Sequence, residues 1–172
     1  MCVIVYKPKG EFMPDGRIIE ACARANRDGF GFCTPSKSYK TLSFRKFKTE
    51  LENVRFDEPC IMHFRLATHG SVKKSNCHPF NIGDTWFAHN GILSVEPMRD
   101  KTDSETAFVR YLYPNIEQYG LFSQELDRAV YNIIEGSRFA FMQGEDVRLF
   151  GDFVEMCGCY FSNLRFRYYL YF

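Results

Sequence analysis

The sequence predicts an α+β fold in which two packed, mainly antiparallel sheets lie between layers of helix. Strands such as Cys2 to Tyr6 and Pro59 to Thr68 are apolar on both faces and therefore need cover on each side. The order along the chain is strands, then helices, then strands again. The 172 residues are 45% hydrophobic and 17% aromatic, with 18 Phe, enough for one domain with a substantial core. A single domain spanning 1–172 is expected.

The run Cys-Val-Ile-Val-Tyr at 2–6 is β-branched and too short for a helix, so it reads as a buried central strand ended by Lys7-Pro8-Lys9-Gly10. From Asp15 to Arg27, Ile18, Ile19, Cys22 and Ala23 recur at helical spacing, with Asp15 as the N-cap. The paired glycines of Asn26-Arg27-Asp28-Gly29-Phe30-Gly31-Phe32 mark a tight turn or a close backbone approach before a short strand. Residues 40–56 read as a solvated edge strand and a short helix through Phe47, Leu51 and Val54. Pro59 to Thr68 is the second strong strand and carries Arg65, whose buried guanidinium needs a carboxylate, from the protein or from a ligand.

His69 to Phe80, irregular and rich in Gly, Ser, Asn and Pro, reads as a loop lining something. Thr85 to Ala88 is a strand that stops at His89-Asn90-Gly91. Asn-Gly there is either a hairpin turn or a pair of donors, the Asn90 amide and the Gly91 N–H, converging on one oxyanion. Thr102 or Asp103 caps a helix carrying Ala107, Phe108 and Leu112, and a second helix runs from about Ser123 to Glu135. Arg138 to Met142 and Val147 to Phe150 form a hairpin. The aromatic tail from Cys159 to Phe172, with Arg165 and Arg167, reads as a plain edge strand.

A net charge of +1, with acids and bases mixed, provides no basic stripe for nucleic acid. The start lacks the basic and long apolar regions of a signal peptide, and no run is long and apolar enough to span a membrane, so a cytosolic protein is expected. Seven cysteines, an odd number without an export signal, suggest reduced thiols. Cys157-Gly158-Cys159 and Cys77-His78 lack the spacing of a four-ligand zinc site, so no metal or cofactor is expected.

Met1-Cys2 carries the chemistry. A small second residue permits removal of Met1, which leaves a thiol and a free α-amine on one residue. With an ordinary pKa of about 7.7–8.0, that amine can take the thiol proton directly or through one water. Cys2 is thus a candidate N-terminal nucleophile, or else a small apolar residue leading into a strand.

His63-Phe64-Arg65-Leu66-Ala67-Thr68-His69-Gly70, Asn76-Cys77-His78-Pro79, Ala88-His89-Asn90-Gly91-Ile92 and Asp103-Ser104-Glu105, in this order after Cys2, resemble the glutamine-binding signatures of class II glutamine amidotransferases. These are N-terminal nucleophile hydrolases with a four-layer αββα sandwich. The resemblance implies that Cys2 attacks the glutamine side-chain amide, releasing ammonia and leaving a γ-glutamyl thioester for water to cleave. It also implies that Arg65 clamps the α-carboxylate, Asp103 takes the α-ammonium, Thr68 and His69 line the pocket, Asn90 and Gly91 form the oxyanion hole, and His78 supports the loop. Val3 stands where the family usually has glycine, Leu66 where tryptophan is frequent, and the gap from Asn90 to Asp103 is short. The Asn26 to Gly31 stretch is closer to compact, stand-alone members. No synthase domain follows, so ammonia goes to a separate synthase subunit, or the protein is an amidohydrolase on glutamine or a γ-glutamyl compound. The other readings are a binding or regulatory module of the same fold, and an acylase-like enzyme on another amide.

Overall fold

The computed structural model describes residues 1–67 and 71–171. Among them, one sheet contains β1 (Val3–Lys7), β2 (Phe30–Cys33), β3 (Ser38–Thr41), β4 (Cys60–Phe64), β9 (Val154–Met156) and β10 (Cys159–Phe161), in the order β3-β2-β4-β1-β10-β9. The other contains β5 (Phe80–Ile82), β6 (Thr85–Asn90), β7 (Arg138–Gln143) and β8 (Asp146–Phe150) in that order, and every pairing in both sheets is antiparallel.

Strand β1 shows why the layers form. Val3 and Val5 point to a core shared with helices α1 (Gly16–Ala25) and α2 (Phe44–Leu51), while Ile4 points the other way, against Ala88, Ala140 and Met142 of the second sheet. A strand apolar on both faces is thus buried on both, each such side chain adding roughly 1.5–3 kcal/mol. A third core joins Phe87, Phe139 and Phe141 to Phe108, Leu112 and Leu126 from the helical segments 103–131. Three cores between four layers are the αββα sandwich.

Helix α1 is capped by Asp15, whose Oδ1 accepts from the Arg17 N–H at 2.8 Å. Helix α3 (Asp103–Ala107) is capped by Thr102, whose Oγ1 accepts from the Glu105 N–H at 3.1 Å, so Thr102 and not Asp103 is the cap. The chain then makes a π turn over Phe108–Leu112 and restarts as α4 (Tyr113–Tyr119). Pro114 explains the break: it has no N–H for the ladder and is tolerated in the first turn of a new helix.

Several expectations are corrected. Lys7 does not end β1 but lies in it, 1% exposed, with its Nζ donating to the carbonyls of Arg55, Phe56 and Glu58 at 3.3, 2.9 and 2.6 Å. β4 stops at Phe64, so Arg65 follows the strand. β6 continues through His89 and Asn90, which pair with Phe139 and Arg138, so Asn90-Gly91 is not a hairpin turn. Helix α5 (Gln124–Tyr131) ends four residues before Glu135. The tail is not an edge strand: β10 lies between β1 and β9, and residues Arg165–Tyr169 form a 3-10 helix packed on α1.

Candidate active site

Cys2 sits directly before β1, at the centre of the first sheet. Its Sγ accepts from the Leu66 N–H at 3.4 Å and donates to the Leu66 carbonyl at 3.5 Å, and its own carbonyl accepts from Asn163 Nδ2 at 2.8 Å. Burial pushes the Cys2 thiol up, opposed by the Leu66 N–H and by the positive charges of the chain's amino terminus and Arg65. A neutral thiol in such a place needs a base close by.

The thiol faces a cavity of about 60 Å³ whose walls include Arg65, Gly91 and Asp103. Arg65, 6% exposed, is held by its backbone: its N–H donates to the Gly29 carbonyl at 2.8 Å, and its carbonyl accepts from the Asp28 N–H at 2.9 Å. The Asp28 carboxylate then accepts from the Ala67 N–H at 2.8 Å, which fixes the chain after β4. Arg65 Nη1 donates to the Ser71 carbonyl at 3.2 Å, and Asn76 Nδ2 donates to the same oxygen at 3.0 Å. Thr68 and His69 lie outside the described residues.

Gly91 has φ +149°, and a Cβ there would sit 2.1 Å from Ser137 Oγ, so no other residue fits. Asn90 lies one residue back, 1% exposed, with Nδ2 donating to Ser162 Oγ at 2.9 Å and Oδ1 buried without a partner among the described residues. Ser162 Oγ also accepts from the Ile4 N–H at 2.8 Å, and the Ser162 N–H donates to the Ile4 carbonyl. This one residue therefore ties the start of β1 to the end of β6. Turned about its Cβ–Cγ bond, the Asn90 amide accepts the Ser162 hydroxyl proton and frees both N–H donors.

Asp103 accepts from the Leu93 N–H at 3.2 Å and from Ser104 Oγ at 3.2 Å, and Ser104 Oγ in turn lies 2.7 Å from His89 Nδ1. With its proton given to Asp103, the Ser104 hydroxyl accepts from His89 Nδ1–H, and His89 Nε2 is left a bare lone pair. Two more histidines line the cavity. His63 Nε2 is 3.1 Å from the His89 carbonyl and must donate to it, while His78 Nδ1 accepts from the His89 N–H at 3.1 Å. Burial pushes His63 down to about 3 and His78 well below the usual range; it also takes His89 down to about 4, against the pull of Asp103. All three are neutral at neutral pH, and His63 Nδ1 and His89 Nε2 are buried without partners among the described residues.

The structure thus brings Cys2, Arg65, Gly91 and Asp103 to one cavity, with Asn90 behind its wall. Ser162, Asn163 and Ser104 were not read from the sequence as site residues, because nothing in their spacing separates them from ordinary loop and helix residues. Asp28 carried a signal, its place between a helix end and a glycine pair, but that pointed to a turn and not to the chain it holds.

A family model described as glutamine amidotransferases class-II matches residues 48–145. A probable glutamine amidotransferase of Saccharomyces cerevisiae is 30% identical over 100 residues, covering 48% of this chain and 26% of that protein. A putative glutamine--fructose-6-phosphate aminotransferase (isomerizing) from another strain of that yeast is 26% identical over 169 residues, covering 78% and 55%. The solved glutamine phosphoribosylpyrophosphate amidotransferase from B. subtilis, complexed with ADP and GMP, superposes with a TM-score of 0.60 at 16% identity, over 94% of this chain and 41% of that one. A structure titled as the allosteric regulatory enzyme of purine biosynthesis gives 0.62 at 17%, over 99% and 43%. These two show the fold. The chain spans only about a quarter to just over half of the curated relatives' length, and among the described residues no helix is long and apolar enough to cross a membrane.

Proposed function

Because the chain belongs to the class II glutamine amidotransferases, we propose that it hydrolyses the side-chain amide of glutamine with Cys2 as nucleophile, exposed as the first residue by removal of Met1. The observation that carries this reading is the meeting of Cys2, Arg65, Gly91 and Asp103 in one cavity.

In this mechanism the freed α-amine of Cys2 takes the thiol proton, and the thiolate attacks the amide carbon. Arg65 holds the substrate α-carboxylate and Asp103 its α-ammonium, which fixes the reach of the side chain to Sγ. The carbonyl oxygen becomes an oxyanion stabilised by the Gly91 N–H and the Asn90 amide, a donor set of which one member is typically worth on the order of 10²–10³ in rate. The tetrahedral adduct collapses; the C–N bond breaks, the proton on the amine goes to the leaving nitrogen, and ammonia departs. Water, deprotonated by the same amine, attacks the γ-glutamyl thioester, and glutamate and the thiol are regenerated. The ammonia is then available to a synthase that accepts it.

Cys2→Ala, compared with parent protein whose first residue is verified by intact mass, should lose ammonia release from glutamine. Equal turnover by the two proteins would overturn the mechanism.

One observation favours a second, related reading. A larger cavity of about 450 Å³, with Lys73 and Lys101 in its walls, shares Asn76, Ile92, Thr102 and Asp103 with the Cys2 cavity. A substrate longer than glutamine, another γ-glutamyl compound, has room there. Comparing ammonia or amine release across a panel of γ-glutamyl amides with that from glutamine separates the two.

A further inference from the structure

A separate cavity of about 560 Å³ is bordered by the edge strands of both sheets, β3 and β5, and shares no lining residue with the cavity in front of Cys2. Three lysines reach it: Lys40 from β3, Lys74 from the short 3-10 turn Lys74–Asn76, and Lys101 from just before α3. Lys101 is paired with Glu105, a carboxylate of the same cavity. The ammonium groups of Lys40 and Lys74 make no hydrogen bond or ion pair among the described residues. The Lys40 ammonium lies over the Phe80 ring, 5.0 Å from its centroid. That contact covers one side of the cation but accepts none of its three N–H donors in the plane of a lone pair. Burial lowers Lys40 from the ordinary lysine value, against the pull of the Glu105 carboxylate, which Lys101 already engages.

The remaining walls are aromatic and polar. Trp86 is half-buried, leaving part of its surface open to the cavity, and Ser38, Ser75 and Asn81 stand at its rim. Two uncommitted ammonium groups, flat apolar surface and a few hydroxyl and amide groups, in a volume that suits a drug-sized ligand, define one kind of occupant.

We propose that this cavity binds a small phosphorylated molecule bearing a flat ring, of the mononucleotide class, with Lys40 and Lys74 on the phosphate and Trp86 against the ring. The site shares Lys101 with the 450 Å³ cavity but no lining residue with the Cys2 cavity, so binding there is testable without turnover.

Trp86 is the only tryptophan of the chain and lines this cavity, so its fluorescence reports on an occupant there. The full chain is titrated with AMP, GMP, CMP and UMP, and with adenosine and inorganic phosphate as half-ligands. A saturable change is expected with at least one nucleotide, at lower concentration than either half-ligand needs. Lys40→Met, which keeps the stem over Phe80, and Lys74→Met should each raise the Kd about tenfold, as the loss of one charge-assisted hydrogen bond does. No saturable change with any nucleotide, or binding that both variants leave untouched, overturns the site. Phosphate binding as tightly as the nucleotides overturns the role of the ring.

Discussion

Ser162 shows how much a single hydroxyl can carry. It receives the Ile4 N–H and meets the Asn90 amide, so Ser162→Ala leaves a buried N–H in β1 unpaired and lets the amide turn. A loss of about 1–3 kcal/mol in urea unfolding is expected. If Asn90 serves the oxyanion, kcat for glutamine falls by tenfold or more while KM holds; an unchanged kcat in the destabilised variant would reduce Ser162 to a structural role. At this scale the sequence was informative where a residue's chemistry has few uses. Gly31 was expected at a close backbone approach, and a Cβ there would sit 2.1 Å from the His78 carbonyl oxygen. Cys2, Arg65 and Asp103 were expected at one site, and they line one cavity. Ser162 was silent, because a serine after an aromatic strand has many uses and its partners, Ile4 and Asn90, are distant in the chain.

Among the elements, the strand-to-loop passage after β4 depends on the turn before β2. Asp28 and Gly29 hold Arg65 and Ala67 by three hydrogen bonds, of which the carboxylate makes one, to the Ala67 N–H. Asp28→Ala should therefore cost little stability, about 1 kcal/mol. Because it loosens the chain that carries Arg65, KM for glutamine should rise several-fold; an unaltered KM would show that Arg65 is placed without Asp28. The strong strands and capped helices were legible because their apolar spacing matches their burial. The failures share a cause. β9 is three residues long and largely exposed, so it has no apolar alternation to read. β10 is equally short, and its interior place is set by pairing with β1, which no local pattern reports. Lys7 reads as a strand terminator, yet three carbonyls of residues 55–58 satisfy its ammonium inside the sheet.

For the whole molecule, the two-sided apolar strands were sufficient to infer four layers, because a sheet with no polar face has to be covered twice. What they could not show is that three neutral histidines gather around the end of β6, with His89 on its helix-facing side. An unfolded histidine takes its proton near pH 6.5, whereas folded His63 and His89 resist it down to about 3 and 4. Stability is therefore complete above about pH 6.5 and declines as pH falls toward those folded values, because only the unfolded chain binds the protons. Each histidine adds a slope of up to about 1.4 kcal/mol per pH unit. The thermal midpoint should drop from pH 7 to pH 5, and His63→Gln should flatten the dependence by one proton's worth. Equal midpoints at the two pH values would contradict the buried, neutral cluster.

The bond between Asn163 and the Cys2 carbonyl joins positions 161 apart along the chain. As the chain is made, the opening strand waits with one flank unfilled until a segment about 160 residues later arrives to close the sheet beside it. An aminopeptidase reaching Met1 before that segment is made therefore meets a loose tip, and one arriving later meets an enclosed one.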